Sequence, residues 1–291
     1  MKIIKYFFEF ICVISLFLIF KIIGLSNASH LGSMLGVAFG PLFRSKNIIR
    51  KNIEIGLGKI DKKKEKEIIN GMWSNIGRTF AEYMFLKDFK YNKTNFDHIK
   101  INGTNYLEEI KKSNKPVVFY SGHFANFELM AMELDKSGIK TAAIYRPLNN
   151  FFLNPVMEYL RMKYICPQQI KKGRSGMREV INKVRDGYSI ALMVDQRVGE
   201  GLKIKFFSSP AQTTTIPAQL AIKYNCKLVF VSLKRIKNIN FEMTIHQPYE
   251  IKKTENIDED IENITAKINQ DIEKVIIDNP TQWLWSHNRW K

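Results

Sequence analysis

From Pro116 onward the chain repeats one pattern: a short, uninterrupted apolar run rich in β-branched and aromatic residues, followed by a segment of helical spacing. The runs are Val117–Tyr120, Thr141–Tyr145, Ser189–Val194 and Lys227–Leu233. A strand that is apolar on both faces must be covered on both faces, so runs of this kind separated by helices describe a mostly parallel sheet between two helical layers. The expected fold class is α/β. Between Asn238 and Thr254 the alternation of Phe241, Met243 and Ile245 adds a half-buried strand, and Ile257 to Ile277 reads as a helix stopped by Asn279-Pro280. Upstream, residues 61–87 open with Asp61 and a Lys/Glu run. They then set Ile68, Ile69, Met72, Trp73, Ile76, Phe80 and Tyr83 at three-and-four spacing, the pattern of an amphipathic helix.

The amino terminus adds a second constraint. Ile3 to Leu25 is dominated by Ile, Leu, Phe and Val, but its uncharged core runs only from Phe10 to Phe20. That core is shorter than the roughly 20 residues a spanning helix needs, whereas the whole segment suffices if Lys5, Glu9 and Lys21 reach the interface. A cleaved signal peptide is the alternative, because Lys2 and Lys5 precede the apolar stretch and Ser26-Asn27-Ala28 resembles a cleavage site. Glu9 inside the apolar stretch speaks against it. The excess of Lys21, Arg44, Lys46, Arg50 and Lys51 downstream over Lys2 and Lys5 upstream places the body on the cytoplasmic side. The expected organisation is a membrane anchor over 1–28 and a single α/β domain over 29–291, helical over 29–115 with a catalytic core over 116–291. Whether residues 3–25 cross the membrane or lie on it stays open. Gly32, Gly36 and Gly40 recur every four residues, a spacing that lets a second helix approach closely and that also arises by chance.

Composition narrows the partners. Hydrophobic residues make up 45% and charged residues 25% of the 291, which excludes a disordered polyelectrolyte, a collagen-like repeat and a multi-span membrane protein. Lys and Arg number 45 against 28 Asp and Glu, a net charge of +17 that favours an anionic partner: nucleic acid, anionic lipid or an acidic carrier protein. Cys12, Cys166 and Cys226 are scattered and form no C-x-x-C pair, so neither a disulfide framework nor a zinc site is indicated.

In parallel α/β sheets ligands bind beyond the carboxyl ends of the strands, which directs attention to the residues just after each apolar run. The first run leads into Ser121-Gly122-His123-Phe124-Ala125-Asn126-Phe127-Glu128, the second ends in Tyr145 and leads into Arg146-Pro147, and the third leads into Asp195-Gln196. His123, Arg146 and Asp195 are therefore expected along one edge of the sheet. His123 and Glu128 cannot share a helix face, but with His123 in the loop and Glu128 in the first helical turn the carboxylate can fold back on the imidazole. Such a pair acts as a general base, the carboxylate fixing the histidine tautomer. The spacing alone carries little weight, since five histidines and 28 acidic residues make chance matches common. Ser121 lacks a nucleophile elbow, while Gly122 would allow close substrate approach or an oxyanion-binding amide. Asp195 can equally cap a turn, Arg146 can clamp phosphate or sit in a structural ion pair, and Thr213-Thr214-Thr215-Ile216-Pro217 reads as the start of a helix. The basic cluster Lys171, Lys172, Arg174 and Arg178 suits an acidic protein or phosphates, or is solvated surface.

Taken in order, His123-x4-Glu128, Tyr145-Arg146-Pro147, Val194-Asp195-Gln196, the Phe206-Phe207 to Thr213-Thr214-Thr215 block and the terminal Trp283-Leu284-Trp285-Ser286-His287-Asn288-Arg289-Trp290-Lys291 resemble the bacterial lipid A biosynthesis acyltransferases, the late lauroyl and myristoyl transferases. The similarity extends upstream through Arg50-Lys51-Asn52-Ile53-Glu54 to the anchor. The first motif alone would indicate only the wider lysophospholipid acyltransferase superfamily. The resemblance implies an enzyme on the cytoplasmic face of the inner membrane. It would move an acyl chain from acyl carrier protein to a hydroxyl of a lipid A precursor, with no metal and no cofactor beyond the acyl carrier protein donor. It makes His123 the base and Glu128 its partner, with Arg146 and Asp195 as further active-site residues. Gly122, Asn126, Tyr145 and Gln196 join them as expected substrate contacts, as do Lys171 and Arg174 of the basic cluster. No nucleic acid is expected as a partner, and a monomer is the default oligomeric state. Two other readings stand beside this one: the same chemistry on a lysophospholipid, glycolipid or amino-lipid, and a membrane-tethered polyanion-binding protein, for which a basic stripe with interleaved aromatics is missing.

Overall fold

A computed structural model describes residues 2–91, 98–251 and 253–291. The amino-terminal part runs α1 (Lys2–Ile23), α2 (Leu25–Phe43), α3 (Lys46–Leu57), α4 (Lys62–Glu82), a 3-10 turn (Tyr83–Phe85) and α5 (Leu86–Tyr91). Next come β1 (Ile99–Asn102), α6 (Thr104–Ser113), β2 (Val118–Ser121), α7 (Glu128–Lys136), β3 (Thr141–Tyr145), α8 (Asn154–Leu160) with a π-helical turn (Arg161–Ile165), and β4 (Gln168–Lys171). The chain closes with α9 (Arg174–Arg185), β5 (Ser189–Met193), the hairpin β6 (Leu202–Phe206) and β7 (Ser209–Thr213), α10 (Ile216–Tyr224), β8 (Leu228–Lys237), β9 (Asn240–Ile245) and α11 (Ile257–Asp278).

The four apolar runs of the sequence become β2, β3, β5 and β8. They lie in a seven-stranded sheet of order β1-β9-β8-β2-β5-β3-β4 that is parallel throughout except for the antiparallel β8/β9 pair. Alternate residues of β2 point to opposite sides, so Phe119 joins a core with Leu129, Met132, Phe85 and Phe89. Val118 and Tyr120 join the other core, with Val180, Leu220, Ile268 and Trp283. Each fully buried side chain of this size contributes about 1.5–3 kcal/mol. Two strands lie outside the sequence expectation. β1 falls within the stretch read as helical and pairs in parallel with β9, Ile99 opposite Phe241. β4, Gln168-Gln169-Ile170-Lys171, is a polar edge strand with no apolar run to mark it.

The glycines of α2 are functional in packing. A Cβ at Gly36 would sit 2.2 Å from the Trp73 carbonyl, and one at Gly77 of α4 would sit 1.9 Å from the Gly32 carbonyl, so the two helices cross backbone against backbone. Helix α1 is not a free anchor but runs along the domain. The Tyr6 carbonyl and Glu9 accept hydrogen bonds from Asn150 Nδ2, and Phe7 and Phe10 meet the Phe152 ring. Phe17 lies on Phe80, and Lys21 pairs with Asp88. Its opposite side, with Ile4, Phe8, Leu18 and Ile22, is exposed.

Candidate active site

Sheet order decides which side chains meet. β2 and β5 are neighbours with Ser121 opposite Met193, and the Val194 amide still donates to the Ser121 carbonyl. The chain segments leaving these strands are thereby side by side, and His123 comes against Asp195. The His123 ring Nδ1 is 2.7 Å from Asp195 Oδ1, while Asp195 Oδ2 accepts from the His123 backbone amide (2.9 Å) and from Trp283 Nε1 (2.8 Å). Burial pushes the Asp195 carboxyl up. The charge and hydrogen bonds of His123 and the Trp283 bond outweigh that and lower it to about 2, so Asp195 is an anion and His123 Nδ1 carries the proton shared with it. Ring Nε2 is left on the cavity side, 3.4 Å from Gln196 Nε2.

The loop carrying His123 is held from several directions. Gly122 has no room for a side chain, since a Cβ would meet the Phe124 ring at 2.8 Å and Asp195 Cγ at 3.4 Å. Ala125 takes a left-handed conformation (φ 46°), which costs an alanine about 1–3 kcal/mol. Its carbonyl accepts from Asn75 Nδ2 and Thr79 Oγ1, and its amide donates to the Gln282 carbonyl. Asn75 is itself fixed by Arg235, whose guanidinium forms a buried two-pronged pair with Glu82. On the Asp195 side, the Arg197 amide donates to His287 Nε2, and Asn52 holds the Trp285 and His287 carbonyls. Burial lowers the His287 imidazole to about 4, against the opposing pull of Asp195 and helped by the charges of His123, Arg289 and Arg44. The terminal tryptophan motif is thus the back wall of the site.

Beside His123 opens a cavity of about 290 Å³. Its apolar wall includes Phe127, Met130, Ala131, Ile165, Leu192 and Met193, and its cations are Arg146, Arg161 and Lys172. Glu128 reaches this cavity, but it is not the histidine's partner as the sequence reading expected. Among the described residues its hydrogen bonds come from the Tyr83 hydroxyl and from Arg161, Nη2 at 2.6 Å and Nε at 3.2 Å. The reason is geometric: Glu128 heads α7, with Tyr83 and the π-turn packed against it, while Asp195 is delivered to His123 by the adjacent strand. Burial disfavours the Arg161 charge, but Glu128 more than compensates and holds it firmly protonated. Its Nη1 is buried and has no partner among the described residues.

Other expected residues divide. Arg146, Tyr145 and Gln196 line the cavity, the Tyr145 hydroxyl donating to Glu158. Asn126 does not: it is buried and donates to Glu82, in the network beneath the loop. Lys171 pairs with Glu158 at 3.2 Å, and Arg174 is 95% exposed and 3.7 Å from Glu200, both away from the cavity wall. The Ser121 hydroxyl turns to the Gly122 carbonyl and addresses no base. Thr215-Ile216-Pro217 opens α10 as expected. Lys172, of the basic cluster, does line the cavity, and so does Arg161, which with its neighbour Tyr83 has no place among the residues expected from the sequence. Arg161 follows α8 with no local motif around it, and its only signal would have been a buried arginine needing an acid.

Fold and site together define a class: an α/β protein whose cavity, walled by cations and by a histidine that a buried carboxylate backs, opens at the carboxyl ends of a parallel sheet. The particular family follows from comparison with known proteins. The model of the bacterial lipid A biosynthesis acyltransferases matches residues 1–291, and the chain belongs to that family. A lipid A biosynthesis acyltransferase of Haemophilus influenzae is 26% identical over 276 residues, covering 90% of this chain and 83% of its own length. The lipid A biosynthesis palmitoleoyltransferase of Escherichia coli is 24% identical over 268 residues (90% and 84%), and its lauroyltransferase 21% over 272 residues (90% and 84%). The chain is accordingly an acyltransferase, and the resemblance carried by its motifs holds over its full length.

Proposed function

We propose that this protein transfers a fatty acyl group from the thioester of acyl carrier protein to a hydroxyl of a lipid A precursor, with His123 as general base. The observation that carries the reading is His123 on the cavity wall, bonded through Nδ1 to the buried Asp195 behind it. Asp195 holds the proton on Nδ1 and leaves the Nε2 lone pair for the acceptor hydroxyl, once that hydroxyl displaces Gln196. Nε2 takes the hydroxyl proton, and the alkoxide oxygen bonds to the thioester carbonyl carbon. The C–S bond then breaks, and the departing thiolate recovers the proton from Nε2. The Arg161 guanidinium, which lines the cavity, is the group assigned to stabilise the oxyanion, with Glu128 and Tyr83 holding it in place. The apolar wall suits an acyl chain.

The substrate class and the acyl carrier protein donor rest on family membership and on the names of the relatives. Location on the cytoplasmic face of the inner membrane rests on the sequence charge asymmetry and on α1. Because α1 is apposed to the domain from Tyr6 to Lys21, it lies along the bilayer surface with its exposed apolar side inserted, as a monotopic helix does. A helix crossing the membrane would take the part of the domain packed along it, Asn150 among its residues, into the bilayer with it. The test is to incubate purified protein with acyl-loaded carrier protein and three acceptors: a tetra-acyl lipid A precursor, lysophosphatidic acid and lysophosphatidylethanolamine. One acyl mass gained on the lipid A precursor is the expected product. Gain only on a lysophospholipid overturns the substrate, and no transfer to any acceptor overturns the reading.

A further inference from the structure

Three cations line the cavity, and they are not equivalent. Arg161 is neutralised by Glu128. Arg146 and Lys172 have no carboxylate and no hydrogen-bond acceptor among the described residues, although their neighbours do: Lys171 has Glu158 and Arg174 has Glu200. The fold sets the unpaired two side by side. β3 and β4 are paired with Tyr145 opposite Lys171, and one residue further on the Lys172 amide donates to the Tyr145 carbonyl. Arg146 and Lys172 therefore leave adjacent strand ends together, on the edge where parallel sheets bind ligands. Burial depresses the Lys172 ammonium below its ordinary value, and the neighbouring Arg146 charge depresses it further. Two like charges held together on a cavity wall are repulsive until an anion joins them. An arginine fork beside a lysine point charge matches phosphate in particular.

We propose that Arg146 and Lys172 form a phosphate subsite of this cavity, which holds a phosphate group of a substrate while the hydroxyl is presented to His123. The inference rests on the acyltransferase reading above and names a recognition element for it. Two substrate phosphates share the chemistry: a phosphomonoester on the sugar acceptor and the phosphodiester of the carrier protein's pantetheine arm.

The experiment has a binding arm and a kinetic arm. In the first, glucosamine 1-phosphate and glucosamine are titrated calorimetrically into wild type, R146Q, K172Q and the net-charge control K223Q. Binding of the phosphorylated sugar alone, weakened about tenfold or more in R146Q and K172Q and kept in K223Q, is expected for lost charge-assisted bonds. Equal binding in all four proteins, or none in wild type, overturns the subsite. In the second, KM is measured for acceptors with and without phosphate, and for acyl-phosphopantetheine against acyl-pantetheine. A rise in KM that tracks the acceptor phosphate assigns the site to the acceptor, and one that tracks the donor phosphate assigns it to the carrier arm. A rise that ignores both phosphates overturns the proposal. If no acceptor is acylated at all while the binding arm behaves as expected, the acyl-transfer reading fails and the phosphate subsite stands.

Discussion

Replacing Asp195 by asparagine keeps the side-chain shape and changes only what it can accept. Oδ2 takes two hydrogen bonds, from the His123 amide and Trp283 Nε1, and Oδ1 takes one from His123 Nδ1. A carboxamide has one oxygen. Set in the Oδ2 position, it keeps the two bonds to the loop and the indole and turns its NH2 toward the imidazole. Nδ1 must then accept, the ring proton moves to Nε2, and the base has no lone pair facing the substrate. A histidine locked in the wrong tautomer costs on the order of 10⁴ in rate, about 5 kcal/mol of barrier. Stability should fall by only about 1–3 kcal/mol, the cost of one disturbed buried hydrogen bond. The assay is single-turnover acyl transfer by D195N, with unfolding measured in parallel. A D195N rate within about tenfold of wild type in a folded protein would refute the tautomer reasoning. The depressed carboxyl also sets a sign. Asp195 contributes stability above its unfolded value near 4 and loses it only as pH falls toward 2, so no acid limb of activity above pH 4 belongs to this group.

The same contacts give three further outcomes. E128Q removes the charge that neutralises Arg161 and should cost about 3–5 kcal/mol in denaturant unfolding, with activity lost as well; an unchanged midpoint would contradict the pairing. G77A places a Cβ against the Gly32 carbonyl and should lower the thermal midpoint through about 1–3 kcal/mol of forced helix separation, whereas a neutral effect would mean α2 and α4 are not in backbone contact. His287 is neutral when folded, so between pH 6.5 and about 4 the unfolded chain binds a proton that the folded one refuses. Stability should drop as pH falls through that window, and H287Q, which keeps an acceptor for the Arg197 amide, should flatten the drop.

The sheet and its working edge were readable because both are local. Val118–Ser121 and Ser189–Met193 are apolar on both faces and can only be central strands, and the strand-end rule then points to His123, Arg146 and Asp195. The partner of His123 was not readable in this way. It depends on β5 lying beside β2, a long-range choice that no window of sequence contains. Glu128 was the nearer acid in sequence, and Asp195, 72 residues away, is the nearer one in space. Arg161 escaped for the same reason, being 33 residues from Glu128 on a π-turn without a motif. The edge strands β1 and β4 escaped because edges need no apolar run. In the basic cluster, composition could not distinguish Lys172, on the cavity wall, from Lys171 and Arg174, which are already paired outside it.

Removal of the acceptor proton by His123 is tested by comparing wild type with H123A. Both are purified, shown to be folded by the same unfolding transition, and incubated with acyl-loaded carrier protein and the tetra-acyl lipid A precursor, with products resolved by mass. One added acyl mass is expected with wild type, and a rate lower by about 10²–10⁴ or more in H123A. Transfer by folded H123A at the wild-type rate would contradict His123 as the base.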